Sequence, residues 1–441
     1  MKRVHVLWLG LPLLILLSLI QFGSLDAKQA GSRPEIISIN FPTLIPPDGS
    51  AIQGQVEFND NDNDSQTLEL NVIRAYNFAD ITFSIVTEEQ TPSKTSFSLS
   101  SSDVQPIALE AIIIDAQGNR SRPQVFHFAA ADEENEVSPG VYFMSAWGQQ
   151  GRGPGEFDFE GPQGIRTGPD QNVYVVDNGN HRIQVFTPAG EYLTEFGSQG
   201  RGEGQLSFPS DLVFAPNGNI YVSDSLNHRI QVFDSEFNFL FMFGEKGFDD
   251  GQMNAPRGMV ITSKNELVVA DELNGRIQVF DLDGDYQRKW GQLGMGDPGR
   301  FNVIVGVDAD ADDNIYVADG FNNRIQVFDD QGNFLRQWGE FGKDESQFDD
   351  PVGVAVAAEG WVGITDSFSD RMHIWTTEGA FLRNWGFQSD EPGTGFKLPL
   401  GAATDGLGML YVGDHFNRRA QGFYIAIDPE EIQQANEALG Q

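Results

Sequence analysis

Six aspartates, Asp177, Asp224, Asp271, Asp319, Asp366 and Asp414, recur at intervals of 47, 47, 48, 47 and 48 residues. Five residues after each stands an arginine: Arg182, Arg229, Arg276, Arg324, Arg371 and Arg419. A carboxylate and a guanidinium at this spacing could serve acid–base chemistry, or could form a charge-assisted hydrogen bond across a short turn. Sixfold repetition favours the second, because a catalytic pair is needed once and a joint is needed in every copy. A different cluster, Asp60-Asn61-Asp62-Asn63-Asp64, alternates the hard oxygens that Ca²⁺ takes. An EF-hand needs glycine at its sixth position and a bidentate glutamate at its twelfth, and those positions hold Ser65 and Asn71. An Asx-rich hairpin turn explains the same residues, and calcium on Asp60, Asp62 and Asp64 stays open as the alternative. The chain has no cysteine, no Gly-x-Ser-x-Gly elbow and no phosphate loop, so it offers neither a thiol nucleophile nor a serine elbow, and no cofactor is expected.

The elements that must position the repeated residues follow from the period. In the fourth copy, β-type runs cover 303–308, 314–319, 324–328 and 334–339, separated by turn-forming stretches such as 329–333. Four strands per unit of this length describe a propeller blade, and six units describe a six-bladed ring. The sixth copy stops after its third strand, near 423, while 140–148 matches the fourth strand seen at 379–386. The N-terminal strand is therefore expected to complete the last blade and remove both free edges. Residues 33–130 lack the period. They carry short β runs at 35–41, 52–58, 67–73, 81–86, 95–99, 107–114 and 124–128, which read as a small β-sandwich. The stretch 109–121 resembles the closing hairpin of immunoglobulin-like or fibronectin-like modules. The sequence thus predicts an all-β chain: a sandwich at 33–130, a linker at 131–139, a propeller at 140–427 and a polar tail at 428–441.

The repeated phrase Tyr-Val-x-Asp-x-x-Asn-His-Arg-Ile-Gln-Val-Phe, with Asn180-His181-Arg182 and Asn227-His228-Arg229, resembles the NHL repeat. So do the Pro-x-Gly openings and the Gly-x-Gly-x-Gly-Gln-Phe stretches before them, over about 137–427. Copies five and six depart from the pattern, and copy four has Ile304 where the others have proline. The resemblance implies a ring that in some members is a metal-dependent lyase and in others binds RNA. A catalytic zinc needs three converging protein ligands. The positions matching His181 and His228 hold Gly275, Asn323, Asp370 and Arg418, so no third histidine joins them, and the histidines read as structural. RNA binding needs a basic face, whereas the formal charge is −36, acids outnumber Lys and Arg by 64 to 28, and the loops are acidic at 156–160, 249–250, 344–345, 349–350 and 390–391. Nucleic acid is excluded as a partner.

Met1-Lys2-Arg3 precedes an apolar run from Val4 to Phe22. Residues 1–27 therefore read as a secretory signal or a retained membrane anchor, and the chain as exported: periplasmic, membrane-anchored or secreted.

With the shared residues assigned to joints, function is sought where the copies differ. In a propeller the second-to-third-strand turns and the connections between blades share one face. Two residues past each repeated Asp stand Gly179, Leu226, Leu273, Phe321, Phe368 and Phe416. At the inner-strand opening stand Gln163, Ser210, Arg257, Val305, Val352 and Leu400. Blades four to six thus present phenylalanine with an aliphatic residue, and blades one to three are mostly polar at the inner position. Gathered apolar residues on a rim mark a contact surface if exposed, and only packing if the rings fold over the strand ends. The candidate site is Arg257, Phe321, Phe368, Phe416, Val305, Val352 and Leu400, for a protein, peptide or glycan partner. A metal-dependent lyase or hydrolase at the ring axis is the second reading.

Overall fold

The computed structural model describes residues 33–59, 65–76, 81–91, 94–115 and 117–440. Asp60, Asp62 and Asp64, and the whole of 1–27, lie outside these residues. Among the described residues no helix is long and apolar enough to cross a membrane. The chain divides into two compact units, 1–135 and 136–441.

The first unit is a β-sandwich. One four-stranded sheet runs in the order Glu35–Asn40, Ile52–Asn59, Lys94–Ser100, Thr82–Thr91. The other runs Leu44–Ile45, Gln124–Ala130, Gln105–Asp115, Ser65–Arg74. Leu44–Ile45 is a short parallel addition that the sequence pattern does not reveal. Alternating apolar residues of both sheets, among them Ile36, Val56, Phe58, Leu68, Leu70, Phe97 and Ile113, meet in the core.

The second unit is a β-propeller of six antiparallel sheets among the described residues. Blades 1 to 5 span 162–196, 209–243, 256–290, 304–338 and 351–385. Blade 6 combines Pro399–Thr404, Met409–Asp414 and Arg419–Ile425 with Val141–Trp147, which pairs from Val141 opposite Ile425 to Trp147 opposite Ala420. The inner strands touch in cyclic order, the last (Pro399–Thr404) against the first (Pro162–Thr167). Glycine at the third residue of an inner strand permits this approach. A Cβ on Gly306 would lie 2.2 Å from the Val352 carbonyl oxygen, and one on Gly353 2.2 Å from that of Leu400. The central strands are buried on both faces, and apolar clusters fill the seams between neighbours, as with Val176, Ile183, Leu212 and Val222 between blades 1 and 2.

Two readings of the sequence are corrected here. Within 131–139, expected to be a linker, Glu136–Ser138 forms a fifth strand on the outer edge of blade 6. The tail at 428–441 is not merely polar chain. After Asp428, whose carboxylate caps the Glu430 N–H, helix Pro429–Leu439 packs on blade 5, with Ile432 against the apolar cluster of Trp361 and Met372, and Asn436 bonded to Thr376.

Candidate functional site

The repeated Asp and Arg sit opposite each other at the end of the second and the start of the third strand. In blade 2, Asp224 is fully buried. Its Oδ2 accepts from Arg229 Nε (2.7 Å), Asn227 Nδ2 (2.8 Å) and Gln231 Nε2 (3.1 Å), and its Oδ1 from the Ser207 N–H (2.6 Å). Arg229 then donates to the carbonyls of Gly202 and Gln205 in the incoming connection. Asp177–Arg182, Asp271–Arg276, Asp319–Arg324 and Asp414–Arg419 repeat this arrangement at 2.7–2.9 Å. Asp366–Arg371 keeps the ion pair at 3.0 Å but has buried His373 in the glutamine's place. Carboxylates so fully bonded hold the connection onto the turn and have no oxygen turned to a substrate. Burial pushes Asp177, Asp319 and Asp414 above the usual carboxylate range.

The NHL-type histidines are latches between blades. The His181 Nδ1 accepts the Phe208 N–H (3.0 Å), and the His228 Nδ1 accepts the Ala255 N–H (3.1 Å). In later blades Asn323 Oδ1 accepts from Asp350 (3.1 Å) and Asp370 Oδ1 from Leu398 (2.7 Å). An acceptor is what the position supplies, and this is why histidine, asparagine and aspartate interchange there. Burial lowers the pKa of both histidines, keeping the ring nitrogen free to accept. His415, buried beside the Pro162 carbonyl, is lowered by burial to about 4.

On the face formed by these turns and connections, the tip residues project. Phe321 is 49%, Phe368 55% and Phe416 40% exposed, so the rings do not fold over the strand ends. Each tip is fixed by its own backbone N–H, bonded to the neighbouring connection: Phe321 to Asn302, Phe368 to Asp349 and Phe416 to Lys397, all at 3.0 Å. Leu226 and Leu273 are equally exposed and held in the same way. Only blade 1 lacks a side chain at the tip, since a Cβ on Gly179 would meet the Asp158 carboxylate at 2.3 Å. The apolar rim therefore spans five blades, not three. The connections add exposed apolar residues of their own, Phe159 entering blade 1, Phe248 entering blade 3, Leu293 and Met295 entering blade 4, Phe341 entering blade 5 and Phe387 entering blade 6, so they too are not confined to one half of the ring.

Val305, Val352 and Leu400 come together, lining with Gln163 and Ser210 a cavity of ≈ 30 Å³ at the ring axis. Val352 is buried, so it belongs to the wall of that cavity and not to the exposed rim. Arg257 is not part of this group. It lines a separate cavity with Glu160, Phe208 and Leu226, and its charge is matched by Glu272 at 2.7 Å.

Three residues that matter at the axis were not singled out from sequence. The largely buried Arg166 guanidinium crosses the channel. It pairs with Asp211 (2.7 Å) and donates to the carbonyls of Met259 (2.9 Å) and Val307 (3.2 Å), thereby tying blade 1 to blades 2, 3 and 4. Asp308 faces the same charge, and burial raises its pKa. Arg166 separates the upper cavity from a lower one of ≈ 270 Å³. The signal was present: Asp211 stands where the other five blades have glycine, and Arg166 and Asp308 where they have valine or alanine.

With this geometry in hand, residues 159–186 and 206–233 match the NHL repeat. Comparison with curated proteins finds no match. Among solved structures, a structural genomics protein of unknown function from Bacteroides thetaiotaomicron is similar at TM-score 0.54 and 13% identity, over 91% of this chain and all of its own. A streptogramin B lyase matches at TM-score 0.46 and 13% identity, over 66% of this chain and 99% of its own. The calcium-binding protein regucalcin from Agrobacterium tumefaciens matches at TM-score 0.44 and 13% identity, over 64% and 95%. At such identity the likeness is one of fold. Two of the repeats match the NHL model, which supports an NHL-type β-propeller.

Proposed function

We propose that the protein is an exported, non-enzymatic binding scaffold that holds a protein, peptide or glycan partner on the loop face of its propeller, with the immunoglobulin-like sandwich as an accessory module. One observation carries the reading: five rigidly mounted apolar tips, three of them phenylalanine, stand exposed on one face of a chain that is otherwise strongly acidic. Rigid aromatic side chains lose little entropy on binding and are favoured anchors. The axis supports the same reading against a metal-centred lyase or hydrolase, because the cationic Arg166 already occupies the place where the carboxylates converge. The test is capture of a partner by the intact chain and by a variant carrying Phe321→Ser, Phe368→Ser and Phe416→Ser. The reading requires a partner held by the first and lost by the second. Equal capture by both would remove the face from consideration.

A further inference from the structure

Asp350 is the residue that precedes the opening proline of blade 5. At the equivalent position the other blades have Gly161, Phe208, Ala255, Val303 and Leu398. All six have positive φ, +68° for Asp350, so the site is a fixed corner of the backbone and its side chain is the variable. Asp350 is 8% exposed, and its Oδ1 is enclosed with no hydrogen-bond partner among the described residues. A buried polar atom left without a partner is uncommon in native proteins and calls for an explanation.

Its surroundings narrow the explanation. The Asp350 N–H is held by Asn323 from the blade 4 turn, and its carbonyl accepts the Ser367 N–H (3.0 Å) from the blade 5 turn. The carboxylate therefore lies in the seam between two turns whose tips are the exposed Phe321 and Phe368. A second departure accompanies the first. Gly320 stands where other blades have Asn178, Ser225, Glu272, Ser367 and His415, and a Cβ there would lie 2.5 Å from Asp350 Oδ1. The charges facing the carboxyl are of its own sign: Asp349 from the same connection, and Asp366 from blade 5. Asp366 is already engaged by Arg371. Among the described residues no group supplies the missing donor.

We propose that Asp350, with Phe321 and Phe368, is a subsite for the cationic side chain of a lysine or arginine in a peptide partner. The inference rests on the reading of the loop face as a binding surface and assigns one contact within it. A lysine or arginine side chain matches what the seam offers. Its aliphatic stem lies against aromatic rings, its charge is attracted to their faces, and its N–H groups supply the donors that Oδ1 lacks. The acidic surface of the chain steers such a partner towards the face.

The experiment uses the intact chain and two blocked peptides, acetyl-Leu-Lys-Leu-amide and its analogue with norleucine in place of lysine, titrated in physiological salt and followed by NMR. The proposal requires the lysine peptide to bind about 10-fold or more tightly than the norleucine peptide. It also requires Asp350→Asn to bring the two within about 2-fold of each other, with norleucine-peptide binding unchanged. Asp344→Asn, which removes a neighbouring acid on the same connection, must leave the preference intact; loss of preference in that variant would reduce the effect to general charge attraction and overturn the subsite. Equal binding of both peptides by the unmodified chain overturns the subsite while leaving the face reading in place. Binding of neither peptide, with the tip-substituted protein still capturing its partner, overturns both.

Discussion

Replacing Asp350 by asparagine should stabilise the propeller at neutral pH and leave it unchanged in acid. Burial, reinforced by the nearby Asp366 and Asp349 carboxylates, pushes the Asp350 carboxyl from 3.8 up to about 7. Between those values the folded chain keeps a proton that the unfolded chain has released, so stability falls as pH rises through the window and the full cost is present above 7. At about 1.4 kcal/mol for each tenfold change in proton affinity, that cost is about 4 kcal/mol. Asparagine has the same shape, carries no charge and tolerates positive φ as readily, so the substitution removes the ionisation cost and little else. The assay is urea unfolding of the two proteins at a series of matched pH values, taking the difference in midpoint at constant slope. The Asp349 and Asp366 carboxylates that face the site are present in both proteins, and their repulsion acts only on the charged residue of the unmodified one. The gap should be close to zero near pH 4 and grow to about 4 kcal/mol by pH 8. A gap that does not vary with pH would refute the reasoning.

Further outcomes follow from the joints of the ring. Asp224→Ala should destabilise by about 3–5 kcal/mol in urea unfolding, because it strands the buried Arg229 guanidinium. His181→Asn with His228→Asn should keep stability at pH 7 within about 1 kcal/mol, since Asn323 performs the same task in blade 4. The same pair should flatten the acid limb: the histidine pKa values are depressed by folding, so their contribution is present above the ordinary value near 6.5 and is lost as pH falls through the folded values. Unchanged acid sensitivity would argue that the latches are unimportant. Arg166→Met should cost about 3–5 kcal/mol by leaving Asp211 and Asp308 without their counter-charge, and adding Asp211→Gly with Asp308→Val should restore most of it, glycine and valine or alanine being the residues of other blades at those positions. Failure of these two added changes to rescue the first would remove Arg166 as the tie across the axis.

Much of the ring could be read from its sequence because its joints are local and repeated. Asp224 and Arg229 are five residues apart, they face each other across one turn, and the same geometry recurs in every blade. The tip positions were legible for the same reason, although their exposure was not: whether Phe321 folds down or projects depends on the connection that its N–H grips. What escaped was set by closure of the ring. Arg166 meets Asp211 from 45 residues away and Val307 from 141, a proximity that only the closed circle creates. Val352 escaped because the axis, and not its own strand, buries it. The terminal helix escaped because its apolar residues are few, with Ile432 its principal apolar contact to blade 5.

On the proposed reading, the shared residues hold the ring and the differing residues on its loop face bind. The decisive comparison is the affinity of a captured partner for the unmodified chain and for the Phe321→Ser, Phe368→Ser, Phe416→Ser variant, each alongside its melting temperature. The affinity should fall by about 100-fold or more, with a melting temperature little changed because the rings are exposed. Undiminished affinity at unchanged melting temperature would rule out the loop face as the binding surface.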